Sequence, residues 1–379
     1  MDTYALIDTV YSEAMAGAVQ SESVIEELLS LSPTDAEVAH LKKRAHELAL
    51  HVSGGVARIG GCIGLDFAPC AMNCSFCSFG EKWGIVQQEK VLTPDEILTY
   101  ARDYVQAGVN QITLRTTEFY DMNQLCEYVS LIRENVPGVY EICLNTGELT
   151  ADMATAAFRA GATSAYHVYR LGEGVDTPFD PEVRKQTMRV IAASPLRLHT
   201  GIEPIGVEHT CAELAEHIAF AASLHPESLG IKPRVNVPGT PFEGCAALSA
   251  ERIAQIVAVV RLCSGADVKY VSSHPGEADA VYAGGNASNV ERGATPHADS
   301  FNERTWRGVT PEDNIRILEA AGFAPGLVQA DPRFCAGAHW WQPGQAIQVP
   351  QPTYIGPDGR EYLRACGEQT PLKLPGRVS

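Results

Sequence analysis

Three cysteines, Cys70, Cys74 and Cys77, fall in the pattern C-x3-C-x2-C within CAMNCSFC. Thiolates this close can bind three irons of a cubane [4Fe–4S] cluster and leave the fourth iron open. Such clusters are normally held by four cysteines. A set of three either lacks a distant ligand or reserves one iron for a small molecule. Structural zinc takes paired C-x2-C or Cys/His sets instead, and no second pair follows at a usual spacing.

Composition narrows the class. The chain has 379 residues, 45% of them apolar, which suffices for the core of one large domain or two. A formal net charge of −17 argues against a broad nucleic-acid or anionic-membrane surface. Residues 1–17 carry no signal-peptide pattern, and no apolar run is long enough to span a bilayer. Eleven cysteines, single apart from the trio, suit a reducing compartment better than a disulfide framework. The expectation is a soluble cytoplasmic protein.

The elements that must position the trio follow a regular beat. Residues 1–53 read as a helical cap, its clearest helix opening on a Thr34/Glu37 capping box with a stripe of Val38, Leu41, Ala45 and Leu48. VARIGGCIGLDF, from Val56, reads as a strand running directly into the cysteine loop, with Cys62 a small buried hydrophobe inside it. LTPDEILTYARDYVQAG then gives an N-cap at Thr93, Pro94 at the first helical position, Glu96 completing a capping box and a stop at Gly108. LTADMATAAFRAG and VTPEDNIRILEAAG repeat that plan, ending at Gly161 and Gly322. Strands are expected at 109–116, 140–145, 163–170, 196–205, 228–237 and 267–273, with an eighth between Tyr282 and Ala294. This alternation predicts an α/β fold, a full or nearly full (β/α)8 TIM-type barrel over residues 54–324. A doubly wound open sheet is the alternative, but no G-x-G-x-x-G follows the first strand.

Residues 325–379 form a Pro-, Gly- and Gln-rich extension whose GPDGR predicts a hairpin. Cys335, His339 and Cys366 lie there, too sparsely spaced to read as a metal site, and packing or a lid on the barrel mouth is expected. Arg115, His199, Glu203, Lys232, Arg234 and His274 fall on or near strand ends. Ionisable residues are expensive to bury unpaired. They point to a small polar substrate, carboxylate- or amino-acid-like given the basic excess.

The trio, and landmarks from Val56 to Gly322, resemble the radical S-adenosylmethionine (SAM) superfamily. The order of landmarks is similar to the biotin synthase-like branch, with the hydrogenase-maturation SAM enzyme and methylornithine synthase as relatives. The resemblance implies that SAM fills the open iron and that the reduced cluster splits it into methionine and a 5′-deoxyadenosyl radical. It implies a one-electron reductant such as flavodoxin or ferredoxin. Phe76 would lie beside the adenine. Thr116, Thr117 and Glu118 occupy the place of the family's Gly-Gly-Glu motif, which receives SAM's amino group, although only the glutamate is retained. Asn145, in CLNTGELT, sits in a segment resembling one in biotin synthase. Arg170 and Glu173, with Arg189 on the next helix, match residues that hold SAM's carboxylate and ribose hydroxyls. Gly201, Gly206 and Glu208 resemble the Gly-rich strand end along the adenine.

Biotin synthase's second, sulfur-donating cluster is not expected. Cys143 alone is retained, with Thr113, His199 and Tyr270 where other ligands would stand. No D-x-H-x-x-G pattern for cobalamin is present. The leading expectation is a radical SAM enzyme abstracting hydrogen from a small molecule in cofactor or natural-product biosynthesis. The alternatives are a maturase-like protein serving a partner metalloenzyme and a non-catalytic metal-binding scaffold.

Overall fold

The computed structural model describes residues 2–274 and 278–328, with three short strands of the tail at 353–355, 361–363 and 372–373. Eight parallel strands form its centre: β1 (Val56–Gly64), β2 (Gln111–Arg115), β3 (Glu141–Asn145), β4 (Ser164–Tyr166), β5 (Arg197–Ile205), β6 (Ser228–Pro233), β7 (Tyr270–Ser273) and β8 (Ala287–Gly293). Each pairs with the next in chain order. β8 returns to β1, in register from Arg58↔Ala287 to Gly64↔Gly293, and closes the (β/α)8 barrel. The upper half of β8 also takes an antiparallel strand, Asn302–Arg307, where β7 has left it. The β1–β8 seam is tight at its top. A Cβ at Gly64 would lie 1.9 Å from the Ala294 carbonyl oxygen, and Gly293, at φ +78°, would place one 2.5 Å from the Gly64 oxygen.

The helices are α1 (Thr3–Met15), α2 (Glu22–Leu29), α3 (Ala36–Ser53), α4 (Pro94–Gln106), α5 (Met122–Asn135), α6 (Ala151–Ala160), α7 (Pro181–Ala192), α8 (Cys211–Ser223), α9 (Ala250–Cys263), α10 (Ala278–Tyr282) and α11 (Pro311–Ala320). The capping box at Thr93 and Glu96 is present, and Thr150 and Thr310 cap α6 and α11. The one expected at Thr34 is not. Asp35 is the N-cap of α3, its carboxylate turns back to the Ser32 N–H (3.2 Å), and the Thr34 hydroxyl is paired with that of Ser32 (3.3 Å).

Alternation along each strand divides the core in two. On β2, Ile112 and Leu114 face outward into an apolar cluster with α4 and α5, while Gln111, Thr113 and Arg115 line the barrel interior. Helix α9 lies between the barrel and α1–α3, which explains why Ile253 through Cys263 are all buried and its sequence is apolar on nearly every face. Strands Thr353–Ile355 and Glu361–Leu363 pair antiparallel, as the intervening GPDGR predicts. Cys335, His339 and Cys366 lie outside the described residues.

Candidate active site

The cysteine loop leaves the top of β1 and is fixed by its own backbone. The Cys70 N–H donates to Phe79 C=O (2.6 Å), Cys77 N–H to Cys74 C=O (3.0 Å) and Ser75 N–H to Asp176 C=O (2.8 Å). Ser78 N–H reaches Pro296 C=O (3.0 Å) in the segment after β8. Asn73 takes a left-handed φ of +51°, with its side chain donating to Ala71 C=O (2.6 Å) and accepting from Lys82 N–H (2.8 Å). Such local bonding is why asparagine tolerates that region. Trp83 Nε1 bonds the Cys74 carbonyl (3.3 Å), and its ring lies so close over Gly80 that a Cβ there would sit 2.2 Å away. All three cysteines and Phe76 line one cavity, enclosing about 1070 Å³ of empty space including its open side. Burial pushes the three thiols up, Cys77 to about 11.

The opposite wall is built from the C-terminal ends of β2, β3 and β4. Thr116, Thr117, Glu118 and Asn145 all line the cavity. Thr117 is held by Asp66, which accepts from its N–H (2.8 Å) and its hydroxyl. Burial outweighs those bonds and lifts the Asp66 carboxyl to about 7. Thr116 N–H donates to Asn145 C=O (3.0 Å), and its hydroxyl meets that of Thr146 (2.8 Å).

Arg170 also reaches the cavity, with Nε 3.4 Å from Glu203 and Nη1 buried without a hydrogen-bond partner. Glu173 does not. Its fully buried carboxylate accepts from the Arg170 N–H (2.9 Å) and the Thr177 hydroxyl (2.6 Å), which spends it on positioning Arg170. Arg189 points away, 45% exposed, with Glu182 at 4.0 Å and the Phe220 ring nearby. The helix-α7 arginine that faces the cavity is Arg184. It is 3.4 Å from Glu118, 2.9 Å from Glu148 and 3.5 Å above the Phe179 ring centre. Sequence reasoning missed Arg184. Its signal was its place in the inward stripe with Thr187, Met188 and Ile191. It missed also Asp66 and Glu148, whose partners are distant in the chain, and His297, which lines the cavity.

The substrate candidates divide between two levels. Arg115, Glu203 and Lys232 line the cavity; Lys232 lies 3.0 Å from Glu203, and Arg115 2.7 Å from Glu291. Below them a second, smaller chamber, about 570 Å³ of empty space, shares Arg115, Asn145, Tyr166 and Lys232 with the first. Cys62, Cys143, His199 and His274 line it. His199 was expected near a strand end but is the third residue of β5, at the barrel floor. Arg234, Glu208 and Gly206 stand outside both spaces. The chain leaves the barrel after Pro233, so Arg234 pairs with Glu208 beside Gly206 instead of facing the interior. Gly201 also lies outside the lining, on β5, where a Cβ would be 2.8 Å from Gly230 O and Tyr166 Oη.

Comparison with known proteins fits this geometry. Residues 68–219 match the Radical SAM superfamily model. A biotin synthase of Streptomyces avermitilis is 24% identical over 275 residues, 70% of this chain and 70% of that protein. One from Anaplasma marginale is 23% identical over 285 residues, 71% and 84%. The chain carries a Radical SAM domain. Among solved structures, methylornithine synthase superposes with a TM-score of 0.69 at 18% identity, covering 84% of this chain and 98% of that one. The FeFe-hydrogenase maturase HydG from Carboxydothermus hydrogenoformans gives 0.68 at 17%, covering 87% and 81%. Both share the fold. No described helix is long and apolar enough to cross a membrane.

Radical SAM proteins use a [4Fe–4S] cluster and SAM, and the residues present fit both. Three thiols converge on one cavity, and iron binding would draw off the protons that burial otherwise holds on them. Arg170 Nη1, buried and without a hydrogen-bond partner, suits a carboxylate.

Glu203 carries a measurable consequence. Burial would raise its carboxyl, but Lys232 and Arg170 more than reverse that and hold it at about 2. Its contribution, about 3 kcal/mol, is present above its ordinary value of 4.5 and lost as pH falls toward 2. Denaturant unfolding between about pH 5 and about pH 3 should show a shallower decline for Glu203→Gln than for wild type. Equal slopes would contradict this.

Proposed function

We propose that this radical SAM enzyme abstracts hydrogen from a small polar substrate held in the lower chamber, in cofactor or natural-product biosynthesis. The observation that carries the reading is one cavity lined by the cysteine trio and Arg170 that shares Arg115, Asn145, Tyr166 and Lys232 with a second chamber. Cys70, Cys74 and Cys77 hold the cluster. Bound together, the cluster and SAM supply a 5′-deoxyadenosyl radical, with methionine as the other product. Arg170 receives SAM's carboxylate, Glu118 and the backbone at Thr116 and Thr117 its amino group, and Phe76 lies beside the adenine. Glu173 and Arg184 keep Arg170 and Glu118 in place. The closed barrel below shields the radical from water.

The protein works with this one cluster. Cys143 is alone among the expected ligands of a second. His199 is committed to Glu227 (2.9 Å), with Gln111 Nε2 at 3.4 Å. The electron comes from a reductant of the flavodoxin or ferredoxin class.

The test is electron paramagnetic resonance of the anaerobically reconstituted, reduced protein, with and without SAM. The expected result is a reduced cubane signal that changes when SAM is added. A signal indifferent to SAM would overturn the reading.

A further inference from the structure

The barrel floor holds an arginine N–H without a hydrogen-bond partner. Arg58, third residue of β1, is 3% exposed and lines the lower chamber. Its Nη2 donates to Ser228 Oγ (2.6 Å), and its guanidinium lies over the Tyr270 ring at 4.3 Å. Its Nε has no hydrogen-bond partner. Nη1 lies 3.5 Å from His199 Nε2. That nitrogen is assigned a proton by its 2.9 Å contact with the Glu227 carboxylate, so it has nothing to offer an arginine N–H. Burial and the Arg58 charge also hold His199 neutral.

The nearby carboxylates are taken. Glu141, His199 and Glu227 converge within 4.8 Å, and Arg197 bonds both carboxylates from the far side. Neither glutamate lines the chamber. Of the fixed cations that do, Arg115 is paired with Glu291 and Lys232 with Glu203. Among the described residues, Arg58 has no carboxylate in ion-pair contact. A buried charge left so is costly. A ligand acceptor at Nε would satisfy the N–H that is buried without a partner.

We propose that the lower chamber takes a substrate with a carboxylate at one end, and that the Arg58 guanidinium receives it at the barrel floor. A carboxylate oxygen can accept from the unpartnered Nε–H in a charge-assisted bond. The inference rests on the proposed hydrogen abstraction and orients it: the acid end lies away from the cysteine cavity, and the reacting C–H lies at the opposite end. Cys62, Thr113, Cys143 and Gly230, all small, leave the room between.

The test uses propionate, butyrate, valerate and hexanoate, each beside its primary amide. They are titrated into cofactor-reconstituted protein and followed by ligand-observed nuclear magnetic resonance. The wild type should bind at least one acid about tenfold or more tightly over its amide, as loss of a charge-assisted bond predicts. Arg58→Met should abolish that preference in folded protein, as its melting transition checks. Should the methionine variant not fold, Arg58→Lys is read instead, and its lack of a fork should cost about tenfold. No acid preference in the wild type, a preference surviving in Arg58→Met, or one undiminished in Arg58→Lys where that variant is read, overturns the proposal. The SAM-dependent change in the cluster signal should persist in Arg58→Met. Loss of that change in the wild type sinks the radical reading independently of the acid result.

Discussion

Replacing Cys74 with alanine is expected to reduce iron binding and SAM cleavage to background while the barrel stays folded. The loop that carries Cys74 is held by backbone bonds from Cys70 to Phe79, Ser75 to Asp176 and Ser78 to Pro296, none of which uses the thiol. Unfolding free energy of the cofactor-free protein should therefore change by no more than about 1 kcal/mol. Two cysteines remain, too few to retain a cubane with one open iron. Iron per chain and production of 5′-deoxyadenosine are the measurements. Cleavage that survives in Cys74→Ala, or zinc in place of iron in anaerobically purified wild type, would return the scaffold alternative to first place.

Arg184→Met should carry the largest stability cost, about 3–5 kcal/mol, because it strands buried acids and does not merely delete a contact. Arg184 stands 2.9 Å from Glu148, 3.4 Å from Glu118 and 4.0 Å from Glu173. Burial alone would raise the Glu148 carboxyl, and the charges of His167 and Arg184 reverse this to well below its ordinary value. That stabilisation is present above about pH 4.5 and lost as the solution is acidified. Removing Arg184 should therefore lower the plateau at neutral pH and flatten the acid limb together. Urea unfolding at pH 7 and near pH 4 reads both. A neutral-pH difference below about 1 kcal/mol would show that Arg184 does not balance these acids. SAM affinity should fall in the same variant, since Glu118 would lose its anchor.

The fold was legible because each βα unit is marked locally. Thr93, Pro94 and Glu96 open a helix, Gly161 or Gly322 closes one, and Ile112 and Leu114 alternate with polar residues on a strand. The cysteine trio stands out in sequence because its spacing suits three irons of one cluster, and the structure brings all three to one cavity. Side-chain direction was not. Arg184 and Arg189 lie on one helix five residues apart, about 140° around its axis. The tertiary contact alone tells which arginine faces inward. Glu173 lies three residues after Arg170 yet turns beneath it, a choice made by the Thr177 hydroxyl. Asp66 earned no notice in sequence because its partner Thr117 is far along the chain.

The β1–β8 seam has a consequence for how the protein is made. The cysteine loop is fastened to Pro296, and β1 has its second barrel neighbour only when residues 287–293 arrive. During synthesis the cysteines leave the ribosome long before that partner exists, and contacts of such sequence separation form slowly. Their thiols thus pass through a period of exposure to stray metals and oxidants. Cluster delivery to the completed chain, not to the nascent one, is the order of assembly this topology favours.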